Sequence, residues 1–539
     1  KKLTSPSAPA PAPAAAIVEL TVRTWESSAI FTATFPHGLA GTLGDASHSR
    51  ILEFPAFNVG EGLLQTLGYT YFHGLWPIPV VSSNLTQVKG LPLRKDGPVM
   101  FTHTTGSTLL ITPLDDPLNT VFGITDKRLS FGPSQAIASL PRNYSYSVAM
   151  IADTGATRAF IVYGDMLSTL AIKNESEAKL PDVALEKASY WTDNGAYLYY
   201  NQQGVAVLPP PAKTIPQKVQ ELRHTSGFFF EQVQLDGWWM TSDTFSPNPM
   251  LFPNTSQLSW DSMCEALDRN NTAGMNTTSF LLYKAFFSEH FSMFKDLGIT
   301  PVQSPTGAWY PPPSHSNKLY NAIFEAGKSL RISGYEIDFM SDHLIPTPGI
   351  NNMSSGLETY LFGLADAGLA NKIPIQFCMP TAGVVMSTAG MPAITNGRAS
   401  VDYACEGPVE ANVTWNANYE IGVASLLFLA VGLAPSKDVF WTSTTQAGTP
   451  QPTCGGLHYP QPNVALDVVI AVLSTGPVGV GDGYTFTNYS LLTSCCAADG
   501  TILRATKPLT AIDATFRPPS SSSSTSSISS SATSSSSSP

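Results

Sequence analysis

Charged side chains are scarce in this chain of 539 residues: 13% are Asp, Glu, Lys or Arg, against 43% hydrophobic. The 29 Lys and Arg are outnumbered by 40 Asp and Glu, leaving a net charge of −11 with no clustered basic run. That excludes nucleic acid as an expected partner, because phosphate backbones are held by concentrated positive charge. Long apolar runs are missing too. The longest, near Ile421 to Leu433, is too short to span a bilayer and suits a buried helix. There is no Gly-x-Ser-x-Gly elbow, no His-Glu-x-x-His pair and no phosphate-binding loop. Glu289-His290 reads as a surface pair, and Asn194-Gly195 and Gly479 to Gly483 read as turns. No metal or cofactor is expected.

Cysteine is also sparse. Six residues permit at most three disulfides, with Cys378–Cys405 and Cys454 with Cys495 or Cys496 as candidate pairs and six buried thiols as the alternative. By contrast, Asn-x-Ser/Thr sequons are abundant. Nine occur, at Asn84, Asn143, Asn174, Asn254, Asn270, Asn276, Asn352, Asn412 and Asn488. That number points to a secreted or cell-surface glycoprotein. The chain begins at Lys1 without a signal-peptide pattern, as expected of a mature form or an excised piece.

Composition divides the chain into four parts. Residues 1–16 are a Pro/Ala-rich linker and residues 518–539 a Ser-rich tract that cannot bury a core. Linkers at both ends suggest neighbouring domains or surface-assembly partners. Residues 17–183 carry short alternating runs such as Ile17 to Val22, Thr108 to Thr112 and Ala159 to Tyr163, divided by turn residues, which predicts a β-sandwich. Over 184–517 apolar β-rich runs alternate with helical stretches such as Ser316 to Ser329. The strands are expected at 197–200, 230–235, 300–303, 334–338, 374–378, 393–396, 439–441 and 478–480. Eight βα units predict a (β/α)8 TIM barrel, with its chemistry at the C-terminal strand ends.

Those ends are rich in acids and aromatics. Asp193 lies beside strand 1, Asp236-Gly237-Trp238-Trp239 ends strand 2, and Trp309 follows strand 3. Glu336 and Asp338 end strand 4, Arg398 and Asp402 follow strand 6, Asp438 and Trp441 flank strand 7, and Asp482 follows strand 8. Aromatic faces stack on apolar sugar faces and carboxylates accept hydroxyl protons, so the set predicts a carbohydrate partner. Two carboxylates across one cavity, Asp338 and Asp402, are the minimum equipment for cutting a glycosidic bond.

In this order the segments resemble glycoside hydrolase family 36, especially its raffinose synthase and alkaline α-galactosidase branch. Leu235-Asp236-Gly237-Trp238 resembles the branch's Asp-Asp-Gly-Trp, with Leu235 in place of the first Asp. Tyr335-Glu336-Ile337-Asp338 stands where the family has Lys-x-Asp, with Glu336 in place of the Lys. Arg398-Ala399-Ser400-Val401-Asp402 resembles Arg-Ala-Ser-Asp-Asp, and Ser474 to Asp482 is similar to the family's eighth strand. The Ser tract begins where the family's C-terminal β-domain would follow. The resemblance implies a retaining α-glycosidase, α-galactosidase-like, with Asp338 as nucleophile and Asp402 as acid/base. Asp193, Asp236, Trp238, Trp239, Trp309, Glu336, Arg398, Trp441 and Asp482 would line the sugar site. The same residues suit transglycosylation. The alternative is a catalytically inactive module that serves as a structural or glycan-binding part of an extracellular assembly.

Overall fold

The computed structural model describes residues 18–41, 50–58, 67–73, 77–82, 96–124, 128–170, 178–193, 211–269, 277–403, 413–446, 452–453, 456–457, 461 and 463–518. The N-terminal part is antiparallel. Its larger sheet has seven strands in the spatial order Glu19–Trp25, Ser28–Phe35, Tyr144–Asp153, Thr108–Pro113, Val99–His103, Leu67–His73, Ile78–Ser82. Side chains alternate across it, as a two-residue period requires. Phe35, Phe101, Ile111, Tyr146 and Val148 point to one face, where Phe122, Leu129 and Phe131 of a three-stranded sheet complete an apolar layer. Met100, Leu110, Ala149 and Ile151 point to the other face and join the core shared with the helix Ala156–Thr169. One side of this sheet is therefore a sandwich, and the other leads into the barrel. Where the alternating run Ala159 to Tyr163 suggested a strand, the chain is helical. Ala159, Phe160 and Tyr163 recur at helical spacing and bury one stripe.

The second part is an all-parallel sheet of eight strands. In chain order the barrel strands are Ser189–Trp191, Gln232–Leu235, Ser279–Tyr283, Ile332–Ile337, Ile375–Phe377, Ile394–Arg398, Ala434–Ser436 and Gly479–Val480, numbered 1 to 8 below. Neighbours follow the chain from 7 down to 1, and strand 8 pairs with strand 1. A parallel bridge between Phe440 and Val480 joins the two ends. Strand 8 meets strand 1 tightly: a Cβ at Gly479 would fall 2.5 Å from the Trp191 ring. Helices 316–328, 356–371 and 464–473 flank the sheet. The apolar run near Ile421 lies in the helix Val413–Val431. It packs between the helix Ala156–Thr169 and barrel strand 7, so Ile421, Leu426, Leu427 and Phe428 are wholly buried. Each such side chain contributes about 1.5–3 kcal/mol. Among the described residues no helix is long and apolar enough to cross a membrane.

Three barrel strands differ from expectation. Strand 1 is the three-residue Ser189–Trp191, too short to show a period, while 197–200 lies outside the described residues. Strand 3 is Ser279–Tyr283, not 300–303. Val302–Gln303 instead forms a small hairpin with Trp309–Tyr310, reversed across Gly307. Strand 7 is Ala434–Ser436, with 439–441 following it.

Candidate active site

Strand 4 delivers Asp338 to the C-terminal mouth of the barrel. Phe339 then takes a left-handed conformation with φ 52°. A bulky residue rarely adopts it, and such strain clusters where a side chain must be aimed. The turn brings the Phe339 N–H back onto Asp338 Oδ1 at 2.6 Å. The Tyr283 hydroxyl, at the end of strand 3, donates to Asp338 Oδ2 at 2.8 Å. Burial raises the Asp338 pKa, while these two donors pull against it. The residue is 7% exposed.

Strand 6 ends on Arg398, which is fully buried. Its guanidinium is a fork with several carboxylates in reach. Nη2 donates to Asp402 Oδ1 at 2.8 Å, and Nη1 lies 3.0 Å from Asp438 Oδ1 and 4.0 Å from Asp193 Oδ2. Asp438 is fixed in turn by the backbone N–H groups of Tyr403 and Val439, at 2.6 and 2.8 Å. The Asp402 side chain keeps 31% exposure, so of these carboxylates it has clear access to water. Burial among neighbouring groups pushes its pKa up to about 6 against the pull of Arg398.

Strands 1, 2 and 4 supply the remaining acids. Asp193 and Asp236 are close enough to influence each other's charge. Burial raises both, Asp236 to about 6, and Asp438 and Asp236 push Asp193 further. Thr192 links the two strand ends: its Oγ1 receives the Asp236 N–H at 3.1 Å and the Trp238 Nε1–H at 3.3 Å. Glu336, two residues before Asp338, also points inward, as strand alternation requires. Gln234 Nε2 donates to its Oε2 at 3.0 Å, and Glu336 is wholly buried. Burial, with Asp338 and Asp236 nearby, pushes its pKa up to about 8, so it is protonated at neutral pH.

That protonation has a consequence for stability. An unfolded Glu releases its proton near pH ~4.3, but the folded one holds it to about 8. Raising the pH across this window therefore deprotonates the unfolded chain first and lowers stability. Glu336→Gln, with no proton to lose, is expected to match the wild-type melting temperature at pH 4 and exceed it by on the order of a few °C at pH 8. A difference that does not change between these pH values would contradict this assignment.

The other expected site residues separate into two groups. Trp238 is half-buried, stacked on Phe252 with ring centroids 6.4 Å apart, and sits near the mouth. Trp309 is half-buried on the hairpin beyond strand 3, bridged to Phe287. Trp239, Trp441 and Asp482 are buried structural elements. Trp239 packs on Phe245 and Trp260 and donates to the Tyr283 carbonyl. Trp441 packs on Tyr403. Asp482 accepts from Thr442 N and Oγ1 and from Gln446 Nε2, at 2.5–2.8 Å, tying the loops after strands 7 and 8. The roles of Tyr283 and Gln234 and the ion pairing of Asp438 are not evident from the sequence. The signal for Tyr283 is the apolar run Ser279-Phe280-Leu281-Leu282-Tyr283, which reads as a strand once its neighbours are counted.

Cys378, Cys495 and Cys496 are buried thiols, and the partners expected for them, Cys405 and Cys454, lie outside the described residues. Cys378 Sγ instead faces Arg398 Nη1 at 3.8 Å. Of the sequons, Asn143, Asn254 and Asn488 are exposed and Asn352 is half-buried. Asn84, Asn174, Asn270, Asn276 and Asn412 lie outside the described residues. Among the described residues, no group of three or more His, Cys, Asp or Glu side chains has the arrangement to hold a metal ion.

No protein-family model matches the chain, and no curated protein matches it by sequence. Solved structures do match. An α-galactosidase from Thermus thermophilus, in complex with stachyose, superposes with TM-score 0.51 at 12% identity, covering 88% of this chain and 98% of that one. The α-N-acetylgalactosaminidase NagBb from Bifidobacterium bifidum gives 0.51 at 12% identity, covering 89% and 84%. A GH36 α-galactosidase variant, AgaA from Geobacillus stearothermophilus with 1-deoxygalactonojirimycin, gives 0.50 at 12% identity, covering 88% and 65%. The fold, an antiparallel β-rich part followed by a parallel barrel, is GH36-like.

Proposed function

We propose that the chain is a retaining α-glycosidase that acts on α-galactoside-type glycans. The observation that carries this reading is the placement of Asp338 and Asp402 just past the C-terminal ends of strands 4 and 6 of one parallel barrel, each held differently. Asp338 is shielded and gripped by two donors that favour its anion, as a nucleophile needs. Asp402 rests on Arg398 with access to water, as an acid/base needs. In this reading Asp338 attacks the anomeric carbon and forms a glycosyl-enzyme while Asp402 protonates the leaving oxygen. Asp402 then takes the proton of the incoming water, which releases the sugar with its configuration retained. Arg398 positions Asp402, Asp236 accepts ring hydroxyls, and Trp238 offers an apolar face to the sugar. The nine sequons support an extracellular setting.

The test is a panel of aryl α- and β-glycosides with the wild type and Asp338→Asn. Turnover of an α-glycoside by the wild type alone supports the reading. No turnover of any sugar would favour the binding-module alternative. The pH profile gives a second check. The acid must be protonated, and Asp402 titrates at about 6. The rate constant kcat/KM is therefore expected to fall above pH ~6, giving an acidic optimum. A plateau extending to pH 8 would contradict the role given to Asp402.

A further inference from the structure

The barrel mouth holds far more acid than base. Asp193, Asp236, Glu336, Asp338, Asp402 and Asp438 converge there, and the guanidinium of Arg398 pairs with three of them, Asp193, Asp402 and Asp438. Arg398 is committed to Asp402 and Asp438. Lys284, although next to Tyr283, directs its ammonium to the Thr241 and Ser242 carbonyls and the rings of Phe287 and Phe291.

A second observation lies beneath these acids. Glu336 Oε1 is buried with no hydrogen-bond partner, and so are both Oε1 and Nε2 of Gln376. Glu336 and Gln376 are register partners on strands 4 and 5, so their side chains leave the sheet on the same side, inward. Buried polar atoms are rarely left without a partner, because each one taken out of water without a replacement hydrogen bond is destabilising. Gln376 Oε1 is an acceptor, Glu336 Oε1 becomes one once Glu336 gives up its proton, and the surrounding carboxyls add more. A sugar hydroxyl brings a single donor to such a floor. An ammonium brings three donors and the missing positive charge.

We infer that the sugar unit bound at this site carries a free amine, as a 2-amino-2-deoxyhexoside does, and that on binding Glu336 releases its proton to solvent and its carboxylate receives the ammonium at the acidic floor. This rests on the glycosidase reading and names its substrate class. Glu336 is then a specificity-determining residue. An N-acetyl group, neutral and with one N–H donor, does not satisfy the same floor.

The test measures equilibrium binding to the full chain at pH 6 for the methyl α-glycosides of galactosamine and glucosamine, their N-acetylated forms, and the parent galactoside and glucoside. The expected result is at least ~10-fold tighter binding of one amino glycoside than of its parent and its N-acetyl form. In Glu336→Gln that preference is expected to fall to within about twofold, and Glu336→Lys is expected to reverse it. The comparison within the wild type decides the inference even if a variant fails to fold. Equal affinity for amino and parent sugars would overturn it while leaving the glycosidase reading intact. Absence of both binding and turnover for every sugar would overturn both.

Discussion

Asp338→Asn is expected to cut turnover by on the order of 10^4-fold or more while leaving the melting temperature unchanged or higher. The substitution keeps the shape of the side chain and removes its charge. Asn still offers an oxygen to the Tyr283 hydroxyl or the Phe339 N–H, the two donors that hold Asp338. Burial opposes the carboxylate at this position, so losing the charge relieves desolvation. What is lost is the nucleophile, since an amide does not form the glycosyl-enzyme. A small external anion such as azide, entering the space beside the new amide, should restore turnover of an activated glycoside and give the product of inverted configuration. Steady-state kinetics with and without azide, next to a thermal melt, separate this outcome from simple unfolding. Retention of more than ~10% of wild-type turnover would remove Asp338 from the nucleophile role.

Arg398→Met is expected to have the largest effect on stability. Arg398 is 1% exposed at the side chain and pairs with Asp402 and Asp438, with Asp193 close by. Met is near it in volume but removes the guanidinium that pairs with Asp438, itself buried. Removing one partner of a buried ion pair costs about 3–5 kcal/mol, because the other charge is left uncompensated. Arg398→Lys should recover only part of this. A point ammonium does not serve two carboxylates as the planar fork does. Denaturant unfolding of the three proteins checks the ranking: wild type, then Lys, then Met. A Met variant as stable as the wild type would mean that the pairing contributes no electrostatic stability.

Much of this architecture is legible in the chain. The change from alternating runs to βα alternation corresponds to the change from antiparallel to parallel sheet. Strands 2, 4, 5, 6 and 8 fall close to where their apolar runs place them. The misplaced strands have physical causes. Parallel strands buried on both faces show no two-residue period, so Ser189–Trp191 and Ala434–Ser436, three residues each, carry almost no signal of their own. Val302–Gln303 has β-forming residues but ends in a hairpin, and among the described residues no barrel strand pairs with it. The acids at the site can be read because they end strands. What cannot be read is which polar groups meet. That Arg398 is shared by Asp402 and Asp438, or that Asp482 closes on Thr442 and Gln446, depends on loops brought together from distant strands. Aromatics are the least informative: Trp239 and Trp441 are core, and Trp238 and Trp309 are half-buried, yet all four look alike in the sequence.

The central claim is that Asp338 forms a covalent bond to the sugar. The direct measurement incubates the protein with a 5-fluoro α-glycosyl fluoride of the configuration that the panel identifies, then digests it and locates the added mass by tandem mass spectrometry. The predicted result is stoichiometric labelling of the peptide that contains Asp338, with the mass on that residue and none in Asp338→Asn. Labelling of another carboxylate, or unlabelled protein that turns over its substrate with inversion, would contradict the account.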